Sequence, residues 1–124
     1  MKFDDAIPIY LQIKEEIEHS ILTGALQEDQ AIPSIRVMAQ QYRLNPQTIS
    51  NAIGELTKED LLYKRRGVGM FVSPGAPRRL LAKKRKEYLT KDLRSTLKRG
   101  KSFQIEKQEI ITVLNEIYDQ GEVL

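Results

Sequence analysis

Ile32 to Val72 reads IPSIRVMAQQYRLNPQTISNAIGELTKEDLLYKRRGVGMFV, and the punctuation of this stretch decides the fold. Pro33-Ser34 opens a helix over Ile35 to Tyr42, with the Ser34 hydroxyl placed to cap its first turn. Asn45-Pro46 opens a second helix a few residues later. Asn45 is a good cap, and Pro46 suits the first helical position, where its missing N–H has no partner to lose. Two helices joined this closely cross at a steep angle, the helix-turn-helix geometry that lays the second helix in a DNA major groove. A hairpin follows from Leu62 to Val72, with Arg65-Arg66-Gly67-Val68-Gly69 at its tip. The expected fold is mostly α with a small β-wing: a winged helix-turn-helix domain followed by a short two-helix dimerisation tail.

Outward from that stretch, apolar periodicity supplies the core. Pro8 opens a first helix on which Tyr10, Ile13, Ile17 and Ile21 form a stripe, and Gly24 fits its left-handed stop. Ile35, Met38, Ala39 and Tyr42 form a second stripe; Ile49, Ala52, Ile53 and Leu56 form a third. What these leave on the second helix of the motif is Gln47, Thr48, Ser50 and Asn51. Helix starts favour such residues anyway, yet short hydrogen-bonding side chains also suit a surface that meets a partner. Pro74-Gly75-Ala76-Pro77 interrupts the pattern, so a domain over residues 1–75 and a dimerisation region over 76–124 are expected. In that tail Leu81, Tyr88 or Leu89, Leu93 and Leu97 share one helix face, which Gly100 is expected to end. Ile110, Leu114, Ile117 and Tyr118 mark a shorter helix. Two such helices cannot bury their apolar faces on each other completely, so a second copy of the chain is the expected partner.

Composition narrows the function. The chain has no Cys, no Trp and one His, which excludes disulfides, thiolate chemistry and a Cys-based zinc site. No metal and no cofactor are expected. No apolar run approaches the roughly 20 residues of a membrane span, and the first ten positions carry two Asp, unlike a secretory signal. A cytoplasmic protein with no membrane partner is the expectation. Net charge is only +3, but 11 of the 20 basic residues fall between Arg78 and Lys101 against two acids, Glu87 and Asp92, while the chain up to Pro33 leans acidic. A polyanion would meet one part of such a chain and avoid the other; a solvated helix face is the plainer reading of the same lysines.

Taken in order, Pro8-Ile9-Tyr10-Leu11-Gln12-Ile13, Ile32-Pro33-Ser34-Ile35-Arg36, Leu44-Asn45-Pro46-Gln47-Thr48-Ile49, then Ala52 and Leu56, and last Arg65-Arg66-Gly67-Val68-Gly69-Met70-Phe71-Val72 resemble the GntR family of bacterial transcription regulators. The resemblance covers residues 8 to 73, and the ordered combination is specific where one piece alone is not. Large members carry ligand-binding or aminotransferase-like domains; the short tail here resembles the YtrA-like subfamily, whose tail dimerises the protein. The resemblance implies a dimeric repressor of a transporter operon or of its own gene, on a near-palindromic double-stranded operator.

It also implies a DNA-contacting set: Arg36 from the first helix of the motif, Asn45, Pro46, Gln47, Thr48, Ser50 and Asn51 at the start of the recognition helix, and Arg65, Arg66, Gly67 and Gly69 in the wing. The chemistry agrees. Arg36 can fork onto a phosphate or a guanine edge, Thr48 can donate to a phosphate, and Gln47 can pair with an adenine edge. Gly67 and Gly69 permit a tight tip and close backbone approach. Arg65 and Arg66 also have a bland reading, as charges that protect a sheet edge. Three departures stand out: Glu28-Asp29 where the family has Pro-Gly, Asp60 where it has Gly, and Ser50-Asn51 where many members have basic residues.

Two other function classes fit these residues less well. An enzyme is disfavoured because His19 has no nucleophile to serve and Gly67-Val68-Gly69 is too short to cradle a phosphate. A winged-helix module that docks protein or RNA is the alternative, but it would require neither Arg36 with the polar helix start nor the basic wing. A small-molecule effector is not indicated, since the short tail leaves little volume for a pocket, although a dimer-interface pocket stays open.

Overall fold

The computed structural model describes residues 2–120, which divide into one compact unit up to Lys83 and a second from Lys84. In the first unit, α1 (Ile9–Thr23), α2 (Ile35–Tyr42) and α3 (Pro46–Lys58) precede the antiparallel hairpin of β1 (Leu62–Arg65) and β2 (Gly69–Val72). The helices begin and end where their caps dictate. Ser34 Oγ accepts the Val37 N–H at 3.1 Å, and Asn45 Oδ1 accepts the Gln47 N–H at 2.8 Å, with Pro46 in the first turn.

The turn between α2 and α3 is a Schellman motif: Leu44 N–H donates to Ala39 O at 2.9 Å and Arg43 N–H to Gln40 O at 3.3 Å. Arg43 holds the left-handed position of that turn at φ 56°. The same motif ends α3, where Leu61 N–H reaches Leu56 O and Asp60 takes φ 59°. Asp60 thus serves where the resembled family has glycine, as an Asp is able to at modest cost.

Ile13, Ile17 and Ile21 of α1, Met38 and Ala39 of α2, and Ile49, Ala52, Ile53 and Leu56 of α3 form one core with Leu61, Leu62 and Val72 of the hairpin region. Tyr10, Ile35 and Tyr42 pack partly buried against it. The segment before α2 lies along β2: Ile32 N–H donates to Met70 O at 2.9 Å, and Asp29 N–H to Val72 O at 2.7 Å. Asp29 adopts φ 63°, the second left-handed place where the family pattern has glycine. Its Oδ1 accepts from the Tyr63 hydroxyl at 2.8 Å, which raises the phenol above its ordinary pKa. Glu28 has a role of its own, its Oε1 accepting the Gly75 N–H at 2.5 Å. Buried Gln12 ties down the chain before α1 through Asp4 N–H, Asp4 O and Ile7 O.

The first compact unit runs to Lys83: α4 (Ala76–Glu87) begins inside the core, with Ala76 and Leu80 fully buried. Leu80 is therefore the core leucine, and Leu81 is 52% exposed. Gly100 does not end the following helix. A π-helical segment, Tyr88–Asp92, leads into α5 (Leu93–Ser102), and Gly100 sits in its last turn. The left-handed stop is Gln104, at φ 61°, with Ile105 N–H reaching Gly100 O. A final helix, α6 (Lys107–Tyr118), opens with a capping box between Glu106 and Glu109.

One electrostatic cluster closes the first unit. Glu59, at the end of α3, accepts from Lys14 of α1 at 2.6 Å and from Lys83 of α4 at 2.7 Å, and Lys83 also lies 3.6 Å from buried Glu18. Burial pushes the Glu59 carboxyl up, but hydrogen bonds and charge from Lys14 and Lys83 outweigh it, and the net shift is below the ordinary range. A carboxyl with a lowered folded pKa contributes stability above its unfolded value of about 4.3 and loses it as pH falls through the folded one. Glu59→Gln is expected to cost about 1–3 kcal/mol at neutral pH, because Lys14 and Lys83 lose the carboxylate charge they share and one of them faces an amide NH2 in place of an acceptor oxygen. It should also flatten the fall in stability below about pH 4.3. Urea titrations of both proteins between neutral and acid pH measure both effects.

Candidate nucleic-acid interface

Burying Ile49, Ala52, Ile53 and Leu56 fixes the rotation of α3 and turns Gln47, Asn51, Gly54 and Lys58 outward. Asn45, Pro46, Gln47 and Asn51 are exposed, whereas Thr48 and Ser50 are half-buried at the edge of that face. Gln47 Nε2 donates to Asn51 Oδ1 at 2.9 Å. The pairing leaves Gln47 Oε1, one Nε2 hydrogen and the Asn51 amide group facing outward, the donor and acceptor set that matches an adenine edge.

Neither α2 nor α3 has an acid in its first turn. Acids are the usual companions of helix starts, so the positive ends of both macrodipoles are left without intrachain neutralisation. Such an end attracts an anion, and phosphate is the anion that a helix-turn-helix meets.

Arg36 is exposed in the first turn of α2 and, among the described residues, makes no ion pair. It shares a groove of about 650 Å³ with Ser34, Ile53, Lys64, Val68 and Gly69, so the start of α2 and the wing border one hollow. Within the wing, the Val68 N–H donates to Arg65 O at 2.9 Å. Gly67 takes φ 76° and Gly69 φ 143°, conformations that L side chains rarely adopt. The two arginines part company here. Arg65 lies over the Phe71 ring, 4.9 Å from its centre, while Tyr63 stacks on the same ring at 5.7 Å. Arg66 is exposed at the tip and makes no ion pair among the described residues. Arg65 thus supports the wing, and Arg66 is the extended cation.

Two features escaped sequence reading. Val68 stands 66% exposed between the wing glycines. Gly54 sits in mid-helix on the outward face, where an added Cβ would meet nothing within 4 Å. A glycine there costs helix stability with no compensating close packing; its place opposite Ile49, Ala52 and Leu56 was the available signal.

The fold and this face define a winged helix-turn-helix DNA-binding transcription regulator. The chain belongs to the bacterial regulatory proteins of the gntR family, whose model matches residues 9–72. It is 41% identical over 75 residues to the arabinose metabolism transcriptional repressor of Geobacillus stearothermophilus, covering 60% of this chain and 21% of that protein. To the repressor YtrA of Bacillus subtilis it is 35% identical over 69 residues, or 56% of this chain and 53% of YtrA. The chain thus spans only part of these relatives. The regulator YhcF of Bacillus subtilis is similar over nearly its whole length, 29% identical across 97% of this chain and 98% of that one. Among solved structures, a GntR family transcriptional regulator from Listeria monocytogenes superposes with a TM-score of 0.75 at 27% identity, covering 92% of this chain and 98% of that one. The AraR DNA-binding domain in complex with operator ORE1 superposes at 0.53 with 38% identity, covering 58% of this chain and 90% of that one.

Gly54→Ala is expected to raise the stability of the first unit by about 1 kcal/mol, since the methyl group enters open space and gains helix propensity. Denaturant titration reads the gain directly.

Proposed function

We propose that the chain represses transcription as a homodimer on a near-palindromic operator. Arg36, Asn45, Pro46, Gln47, Thr48, Ser50 and Asn51 make the major-groove and adjacent phosphate contacts; Arg66, Gly67 and Gly69 make the wing contact, with Arg65 as its support. The observation that carries the reading is the start of α3, capped by Asn45, free of acid in its first turn and faced with exposed amides. Relatives named as repressors and the operator complexes of AraR support the direction of regulation and the ligand.

Self-association is supported by apolar surface that the second unit does not bury. Phe103 is 70% exposed, Ile117 67% and Tyr118 76%, with Val113 and Leu114 also exposed on α6. A second copy offers the same surface, as a two-fold interface requires.

Arg36→Ala or Thr48→Ala should weaken operator binding by about 1–3 kcal/mol each, with little change in melting temperature. A footprint on the region upstream of the gene supplies the operator, and titration calorimetry or gel shift measures the loss. Normal affinity in a destabilised variant would make these residues structural and remove them from the interface. Gly54→Ala adds a test by opposite signs, weaker operator binding in a more stable protein, because the new methyl occupies the outward face of α3. Light scattering should give two protomers in solution and two per operator; a monomer at micromolar concentration, alone and on DNA, contradicts the dimer.

A further inference from the structure

Along α5 and the turn before it, Lys91, Arg94, Lys98 and Arg99 line one hollow of about 470 Å³ together with Thr90 and Ser95. All six are exposed. Leu93 to Ser102 contains no acid, and among the described residues none of the four cations takes part in an ion pair. Arg94 and Lys98 are four residues apart and repel each other along the helix. Cations in a last turn are ordinarily explained by the helix dipole, which accounts for Arg99 but not for Lys91, Arg94 and Lys98. Asp92 and Glu87 are the acids nearest in sequence, so a row of four cations without an ion pair among the described residues suits an outside polyanion.

The opposite side of α5 separates the candidate polyanions. Leu97 and Ile110 border a common apolar hollow, and a Cβ added at Gly100 would stand in ordinary van der Waals contact with the Ile110 methyl group, at 3.7 Å. The apolar side of α5 is thereby turned in part toward α6, with Leu97 still 41% exposed. A helix lying on a lipid surface needs that side free for the acyl boundary. Lys91 to Lys98 spans about 10 Å of helix, at 1.5 Å per residue, long enough to face more than one phosphate of a duplex that carries a charge per roughly 1.7 Å of its axis. Two guanidinium groups able to fork onto phosphate oxygens favour the same partner.

We propose that this face of α5 is a sequence-independent contact to the phosphate backbone of duplex DNA, additional to the wing and α3. The proposal rests on the DNA-binding reading of the first unit. Its test uses the full chain, the variant K91Q/R94Q/K98Q/R99Q and the charge-conserving K91R/K98R. Binding to a mixed-sequence duplex of about 40 base pairs is followed over a salt series, a length that gives a dimer room beyond two half-sites a helical turn apart. Each phosphate neutralised adds about 0.9 to the slope of log affinity on log salt. The four-glutamine variant should show a slope shallower by about 2–4 per protomer, while the arginine variant keeps the full slope. Helicity and oligomeric state, read by circular dichroism and light scattering, should match in all three. Equal slopes in wild type and the glutamine variant overturn this contact and leave the first unit's DNA binding intact. Absence of duplex binding by the wild type overturns the DNA reading itself. Equal slopes combined with charge-dependent capture by phosphatidylserine vesicles would assign the face to a membrane surface and also overturn the proposal.

Discussion

The apolar contact between α1 and α3 is the constraint on which the rest of the first unit depends. Ile13, Ile17 and Ile21 meet Ile49, Ala52, Ile53 and Leu56 in one core, and that contact sets the rotation of α3 about its axis. Once four positions of a thirteen-residue helix are committed inward, the outward positions follow from the helical repeat. Gln47, Asn51 and Gly54 face solvent because Ile49, Ala52 and Leu56 cannot. Burial of this kind is worth roughly 1.5–3 kcal/mol per large side chain, far more than any hydrogen bond the outward residues make with each other. The outward face of α3 is thus positioned by residues buried in the core.

That hierarchy explains what was legible in the chain and what was not. Short-range chemistry was legible: the Ser34 and Asn45 caps, Pro46 in the first turn, the left-handed Asp60, and the apolar stripes of all three helices stand as expected. Of the candidate site, the exposed helix start and the wing glycines were also readable, because caps and tight turns demand particular residue types. Interactions between segments distant in the chain were not. Leu80 and Leu81 are adjacent and chemically alike; only the tertiary docking of α4 decides that Leu80 is buried. The bond between Glu28 and Gly75 and the Lys14–Glu59–Lys83 cluster join residues far apart in sequence, so local pattern carries no trace of them. Arg65 and Arg66 are indistinguishable as neighbours until the Phe71 ring claims one of them.

Strain is tolerated where topology needs it. Asp29, Arg43, Asp60 and Gln104 all hold positive φ without being glycine, and three of them close helices with Schellman hydrogen bonds. The conformation costs an L-residue on the order of 1–2 kcal/mol, less for Asp. At the three helix stops, hydrogen bonds to otherwise orphaned carbonyls and a following apolar residue offset the cost. Leu44, Leu61 and Ile105 follow the three helix stops; Leu61 is fully buried and Leu44 packs partly buried against the core. Position 43 is the most telling, because it sets the angle between α2 and α3 and combines that geometry with a positive charge in the turn of the motif.

The two units meet different demands with similar helices. In the first, the apolar stripes of α1, α2 and α3 pack into one core, and amides, hydroxyls, acids and cations are left outside. In the second, α5 and α6 are each amphipathic, but only part of their apolar surface is covered, and Phe103, Ile117 and Tyr118 remain largely in solvent. Two helices of ten and twelve residues lack the volume to enclose a core of their own. Added surface would stabilise that unit, and the proposed second copy would supply it without further sequence. Such an interface would also present two recognition helices to one duplex. The energetic need of a small apolar unit and the geometric need of a two-half-site ligand then have the same solution.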